Sequence, residues 1–233
     1  MVKKIPSRAL AAQLAGRSAL LAIVLASMVS GAAGASYPAP GTYKLQKIEH
    51  AASGWVLENS TWMPRRLSSY LKGRITLFSF FYSTCTDPTG CPVAWSAFED
   101  VYQRVQNDPQ LRGRVRLVFL SLDPRVDTPE RLSLFADNRR ATQKTIPWNF
   151  LTTWSDSYLK PILEDMGQSA SRELDESGKP TAVINHMLKV YLVDQEGWVR
   201  EIYTTAFLQP DVLMNDIRTL AMEEDKSKQA SSK

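Results

Sequence analysis

The chain is short of the residues that most often do metal and redox chemistry: two cysteines, Cys85 and Cys91, and two histidines, His50 and His186. A disulfide-stapled scaffold would use more cysteines and spread them along the chain, so a fold built on bridges is excluded. There is no CxxC, which removes the thioredoxin redox motif and the paired-CxxC zinc site alike. The apolar run at residues 18–30 (SALLAIVLASMVS) falls short of the roughly 20 residues a bilayer span needs. No cysteine lies beside that run, so a lipoprotein anchor is excluded as well. Internal repeats are lacking, and nothing marks a second domain.

What is there begins with an address. Lys3, Lys4, Arg8 and Arg17 precede the apolar run, and Ala33-Gly34-Ala35 follows it with the small-x-small pattern of a signal-peptidase site. Residues 1–35 therefore read as a signal peptide, with an uncleaved membrane anchor as the alternative. Without them the 28 basic residues fall to 24, equal to the 24 acidic ones. The mature chain is near neutral, which removes the basic field that nucleic acid or an anionic membrane surface would require. About 198 residues remain, enough for one domain with a full core. That domain is expected over residues 36–225, and the polar tail at 226–233 is expected to be disordered.

Hydrophobic patterning places the elements. Residues 36–57 are Pro/Gly-punctuated and hold a short strand or two. Residues 74–82 (RITLFSFFY) are dense enough in apolar and aromatic side chains for a buried central strand. A turn-rich loop, residues 83–91, leads to a helix with Pro92 in its first turn and an apolar face of Val93, Phe98, Val101, Tyr102 and Val105. Residues 115–121 (VRLVFLS) form a second buried strand. The next helix starts near residues 127–130, where Asp127 and Glu130 have capping-box spacing, and buries Leu132, Leu134, Phe135 and Ala136. A strand at 146–152 and a helix at 155–167 follow. Residues 168–182 look like a polar surface loop, 182–193 and 198–203 a hairpin across Gln195-Glu196-Gly197, and 210–223 a closing helix. This order is that of an α/β, thioredoxin-like sandwich: one domain with a central mixed β-sheet flanked by helices.

Both cysteines lie between a buried strand and a helix start. A helix N-terminus stabilises a thiolate, so Cys91 is expected to feel this most, with Cys85 more constrained by its neighbours. Five residues including Pro88 and Gly90 can bring the two Cα atoms within the roughly 4.4–6.8 Å of a disulfide. The spacing is compatible with a structural disulfide, a redox dithiol or two ligands on one metal. His50 reads as a surface residue. His186 lies in the apolar stretch AVINHMLKVYLVD, where a histidine can be structural; in a thioredoxin-like sandwich, however, this hairpin approaches the cysteine loop. Two thiolates and an imidazole are a soft set suited to Cu(I), and to Cu(II) with an added ligand. Met187 is expected to pack rather than coordinate, because adjacent strand residues face opposite ways.

The stretch FSFFYSTC…CP, the segment SLDPRVDTPERLSLFA (residues 121–136), the strand PWNFLT and the hairpin from His186 through VYLVDQEGWVREIY together resemble the Sco/SenC family of copper-handling thioredoxin-like proteins. The resemblance runs over residues 70–205 and implies that Cys85, Cys91 and His186 are metal ligands for copper. Two features depart from the family pattern: five residues rather than three separate the cysteines, and Asn185 stands where an Asp is common before the histidine. The function implied is an exported, periplasmic copper metallochaperone that serves assembly of a respiratory oxidase or related cuproenzyme. Its partner would be a copper-accepting exported or membrane protein, with membrane contact only through an N-terminal anchor. The alternatives are a thiol–disulfide oxidoreductase using Cys85 and Cys91 as its redox pair, and a non-catalytic module with a structural disulfide. A peroxidase is disfavoured, since no Thr/Arg peroxide-activating arrangement accompanies the cysteines.

Overall fold

Two strands almost free of exposed side chains organise the chain, and everything else is laid against them. The computed structural model describes residues 37–137 and 146–232; the leader expected at residues 1–35 lies outside them. In chain order the elements are β1 (Glu49–His50), β2 (Trp55–Glu58), β3 (Pro64–Arg66), α1 (Ser68–Leu71), β4 (Ile75–Phe81), α2 (Cys91–Asn107), β5 (Val115–Ser121), α3 (Pro129–Asp137), β6 (Trp148–Thr152), α4 (Asp156–Asp165), β7 (Ala170–Leu174), β8 (Pro180–His186), β9 (Lys189–Val193), β10 (Trp198–Thr204) and α5 (Pro210–Ser231).

Eight strands form one mixed sheet in the order β1-β10-β9-β4-β5-β6-β2-β3. β4 runs parallel to β5 and β5 parallel to β6, while β9 is antiparallel to both β4 and β10. This is the thioredoxin-like arrangement expected from the element order. Side chains alternate across β4, so the sheet has a core on each face. Ile75, Leu77 and Phe81 meet Phe98, Val101 and Ile217 on one side. Phe78 and Phe80 meet Leu71, Leu159, Ile162 and Tyr191 on the other. A strand buried on both faces must be apolar nearly throughout, which is why β4 and β5 stand out in the sequence.

The structure departs from expectation where local patterning is weak. The stretch 168–182 contains β7, a largely exposed strand that pairs antiparallel with β8 in a separate two-stranded sheet. The single strand expected at 182–193 breaks at Met187-Leu188 into β8 and β9, which belong to different sheets. β9 and β10 do pair across the expected turn, where Asp194 Oδ1 accepts the N–H groups of Glu196 and Trp198, each at 3.0 Å. In α3, Leu132 and Ala136 are buried four residues apart, but Leu134 lies on the opposite face and is 66% exposed. The tail expected to be disordered is helical as far as Ser231. Arg114 explains the extension: it binds Glu224, reaches Asp225 at 3.0 Å and donates to the carbonyl of Ala221 at 2.7 Å, and Glu224 also pairs with Lys228 one turn on.

Candidate metal and redox site

The carboxyl ends of β4 and β5 open onto the cysteine loop, the position where open α/β sheets bind ligands. After Phe81 the chain turns: the N–H of Cys85 donates to the carbonyl of Tyr82 at 3.2 Å. Asp87 Oδ1 then accepts from the N–H and Oγ1 of Thr89 at 2.9 and 2.8 Å, which curls the loop toward the helix. Gly90 sits against that turn, since a Cβ there would lie 3.0 Å from Asp87 Oδ2. Cys91 opens α2 and Pro92 follows it in the first turn, as expected.

Cys85 and Cys91 are free, half-buried thiols, close enough for each to bear on the other's charge state. Cys91 packs against both cores and Cys85 against the core that holds Phe80 and Tyr82. Burial pushes the Cys91 thiol well above its ordinary range, and neighbouring Cys85 pushes it the same way. Backbone hydrogen bonds at Tyr82 and at Cys91 itself pull down without offsetting this. The helix start, which Cys91 was expected to feel most, is opposed at this residue by burial. Desolvation outweighs the helix end.

Tyr82 links the cysteines to the histidine. Its hydroxyl accepts the N–H of Ile184 at 3.4 Å, and Cys85 lies close enough to bear on its charge state. Burial pushes its pKa up to about 12; the Ile184 bond opposes the rise and Cys85 adds to it. The ring of His186 lies edge-on to the Tyr82 ring, 5.8 Å between centroids. His186 Nδ1 is 3.0 Å from the carbonyl oxygen of Ile184. A carbonyl only accepts, so Nδ1 carries a proton, and in the neutral ring Nε2 presents a lone pair. Nε2 is buried and has no hydrogen-bond partner. An unpaired buried polar atom costs about 1–3 kcal/mol, and such atoms are rare enough to call for an explanation.

The structure thus brings Cys85 and Cys91 together and sets His186 against the ring of Tyr82, beside Cys85. It does not close the three into a coordination shell: among the described residues no three His, Cys, Asp or Glu side chains converge enough to hold a metal ion. His50, exposed and at the far end of the sheet, stacks on Trp198 at 3.5 Å. Met187, expected to pack, is 60% exposed, because the chain leaves β8 at this point and the opposite-face rule no longer applies.

Two contributors escaped the sequence reading. Tyr82 reads as the last residue of an apolar strand, and only its place three residues before Cys85 could have singled it out. Asp127 was expected to cap α3. That role falls to Thr128, whose carbonyl accepts the N–H of Leu132 at 2.9 Å and whose Oγ1 accepts that of Arg131 at 3.4 Å. Asp127 is buried instead, and its Oδ2 accepts from the N–H of Ser83 at 3.0 Å and the Oγ of Ser121 at 2.5 Å. It braces the base of the cysteine loop.

Comparison with known proteins matches residues 63–222 to the SCO1/SenC family model. A SCO1 protein homolog of Bacillus subtilis is 25% identical over 150 residues, which cover 64% of this chain and 72% of the relative. Among solved structures, copper-bound ScoI of Arabidopsis thaliana superposes with a TM-score of 0.60 at 16% identity, covering 74% of this chain and 98% of its own. BsSco, described as a member of the Sco family of cytochrome c oxidase assembly proteins with a disulfide switch, superposes with a TM-score of 0.58 at 21% identity, covering 77% and 98%. At such identities the structural likeness speaks for the fold.

Proposed function

This chain belongs to the SCO1/SenC family, and from that premise we propose that it is an exported copper-binding accessory protein, a metallochaperone serving assembly of a respiratory oxidase or related cuproenzyme. In this reading residues 1–35 export the chain or anchor it, and the domain from residue 36 works in the periplasm or an equivalent compartment. Copper is its cargo, held by Cys85, Cys91 and His186. The observation that carries the reading is His186 Nε2: a buried lone pair, aimed by the Nδ1 bond to Ile184, with no partner of its own. A group fixed in this way costs stability unless something else binds it. Copper-bound Arabidopsis ScoI and the oxidase-assembly description of BsSco support the choice of cargo and client.

The chain's own residues define what uptake requires. Cys91 must release a proton that burial holds in place, so uptake liberates protons and strengthens as pH rises. Tyr82 accepts the N–H of Ile184 beside Cys85, and so ties the strand that leads into the cysteine loop to the histidine's hairpin. Residues 86–89 are exposed, so a partner's cysteines can reach the loop and take the ion by ligand exchange.

The test is copper binding by the reduced domain from Ser36 onward, beside Cys85→Ala, Cys91→Ala and His186→Ala. One copper per chain with a sulfur-to-copper charge-transfer band, weakened in all three variants, is the expected result. A reduced wild type that takes up no copper overturns the reading.

A second reading has its own observation. Two free thiols that neighbour one another at the end of one loop are placed to close a disulfide, as a thiol–disulfide oxidoreductase acting on a copper-site partner would need. In that case the pair reduces a partner disulfide whether or not His186 is present.

A further inference from the structure

The segment at residues 121–136 carries the closest family resemblance, yet none of its side chains belongs to the proposed ligand set. It holds two carboxylates withdrawn from water, Asp123 at 1% and Asp127 at 0% exposure. A buried carboxylate needs compensation, so the groups that supply it show what the carboxylate is for. Asp127 is compensated by the cysteine loop, through the N–H of Ser83, by Ser121, and by Arg131, whose Nε lies 3.8 Å from Oδ1. Asp123 faces another element: its Oδ1 lies 2.7 Å from Nη2 of Arg172 in β7, a charge contact and not an aligned hydrogen bond. Ser121 links the two residues, since its Oγ donates to the Asp127 carboxylate and accepts the backbone N–H of Asp123 at 2.9 Å.

The pair β7–β8 needs such a fastening. Its strands bond to each other and to no strand of the main sheet, so the large ladder does not hold them. Arg172 stands opposite Ile184 in register, and Ala170 opposite His186. The same guanidinium donates through Nη1 to the carbonyl of Thr181 at 3.1 Å, so it grips both strands of the pair as well as Asp123. Ile184, across from Arg172, is the residue whose N–H reaches Tyr82 and whose carbonyl aims His186.

We propose that the Asp123–Arg172 ion pair is a strap that holds the His186 hairpin against the body of the protein beside the cysteine loop, so that Asp123 and Arg172 are positioning residues for the histidine and Asp127 is one for the cysteines. Its consequence for metal binding rests on the copper reading given above; the strap itself does not. One loop, between β5 and α3, thereby registers the two halves of the site through two neighbouring carboxylates.

The experiment has two readouts on the full chain. In the metal-free protein, amide hydrogen exchange at Ile184 and His186 should speed up about tenfold in Arg172→Gln and in Asp123→Asn, while amides of β4 and β5 keep their protection. With Cu(I) alone as the probe, under competition with a chelator, Arg172→Gln should weaken binding by about 10–100-fold, the range for outer partners of a metal ligand. Added to His186→Ala, it should cause no further loss, whereas Asp127→Asn should still weaken binding in that background. The double variant Asp123→Asn/Arg172→Gln leaves no lone buried charge and answers both questions if the single variants fail to fold. Unchanged exchange at Ile184 and His186, or an equal loss of copper with and without His186, overturns the strap. If the wild type takes up no copper, the copper reading falls and the exchange measurement alone decides.

Discussion

The two ends of the sheet treat buried polar groups in opposite ways. At the end where β4 begins, Arg200 is 6% exposed and each of its three guanidinium nitrogens is hydrogen-bonded. It donates to Asp194 Oδ2 at 3.0 Å and Glu223 Oε2 at 2.7 Å, and to the Leu45 carbonyl from Nε at 3.2 Å. At the end where β4 finishes, His186 Nε2 is buried without a partner and Cys91 is a thiol that its surroundings keep protonated. The first end commits its charges to one another, with Glu223 Oε1 the one atom of that cluster left without a hydrogen-bond partner, and acts as a joint. The second leaves soft donors uncommitted, a stability cost expected where a ligand completes the network.

Breaking the charge-paired end should give the largest effect on stability. Arg200→Leu leaves Asp194 and Glu223 without their cation, and the loss should be about 3–5 kcal/mol by urea unfolding. Copper bound per folded chain should stay at the wild-type level; a fall in copper instead would mean that the two ends are coupled.

His186→Ala should do the reverse. Copper affinity should drop by more than about 100-fold in a competition titration, beyond the loss typical of outer partners. The urea midpoint should stay level or rise, because an unpaired buried nitrogen is removed. A marked loss of stability would make His186 a structural residue.

The thiol end also has a pH signature. Cys91 is held protonated in the folded state, above its value in the unfolded chain. Below about pH 8 both states keep the proton and the contribution to stability is complete. As pH rises beyond that, the unfolded chain loses the proton first, so the reduced protein should lose about 1 kcal/mol between pH 8 and 9.5. Cys91→Ala should flatten this slope, and an unchanged slope would contradict the burial argument.

The smallest effect is a control near Arg200. Lys47 and Glu196 pair at 2.5 Å but are largely exposed, so Lys47→Ala should stay within about 0.5 kcal/mol of wild type. A larger loss would mean that exposure is not what separates joint from ornament at this end.

Much of the fold follows from local composition. β5 lies at Val115–Ser121 as its pattern predicts and β4 within the predicted 74–82 run, because a strand covered on both faces has to be apolar throughout. β3, α1 and β7 leave no comparable trace: they are short, and β3 and β7 are largely exposed, so nothing in their period distinguishes them from loop. The break of residues 182–193 into β8 and β9 is equally silent, since an apolar stretch reads the same whether it serves one sheet or two.

The sequence by itself determined which residues could form the site: two cysteines across a strand-to-helix turn and one histidine in a late strand, with few others of their kind to choose from. The tertiary structure decided their states. Whether Cys91 is a thiol or a thiolate depends on how much core closes over it, and that core comes from segments far along the chain. Which nitrogen of His186 is free depends on one carbonyl, at Ile184, in a hairpin that the polar residues 168–182 did not announce. Donor identity is a property of residues, whereas protonation and aim are properties of surroundings, and the surroundings exist only once the chain has folded.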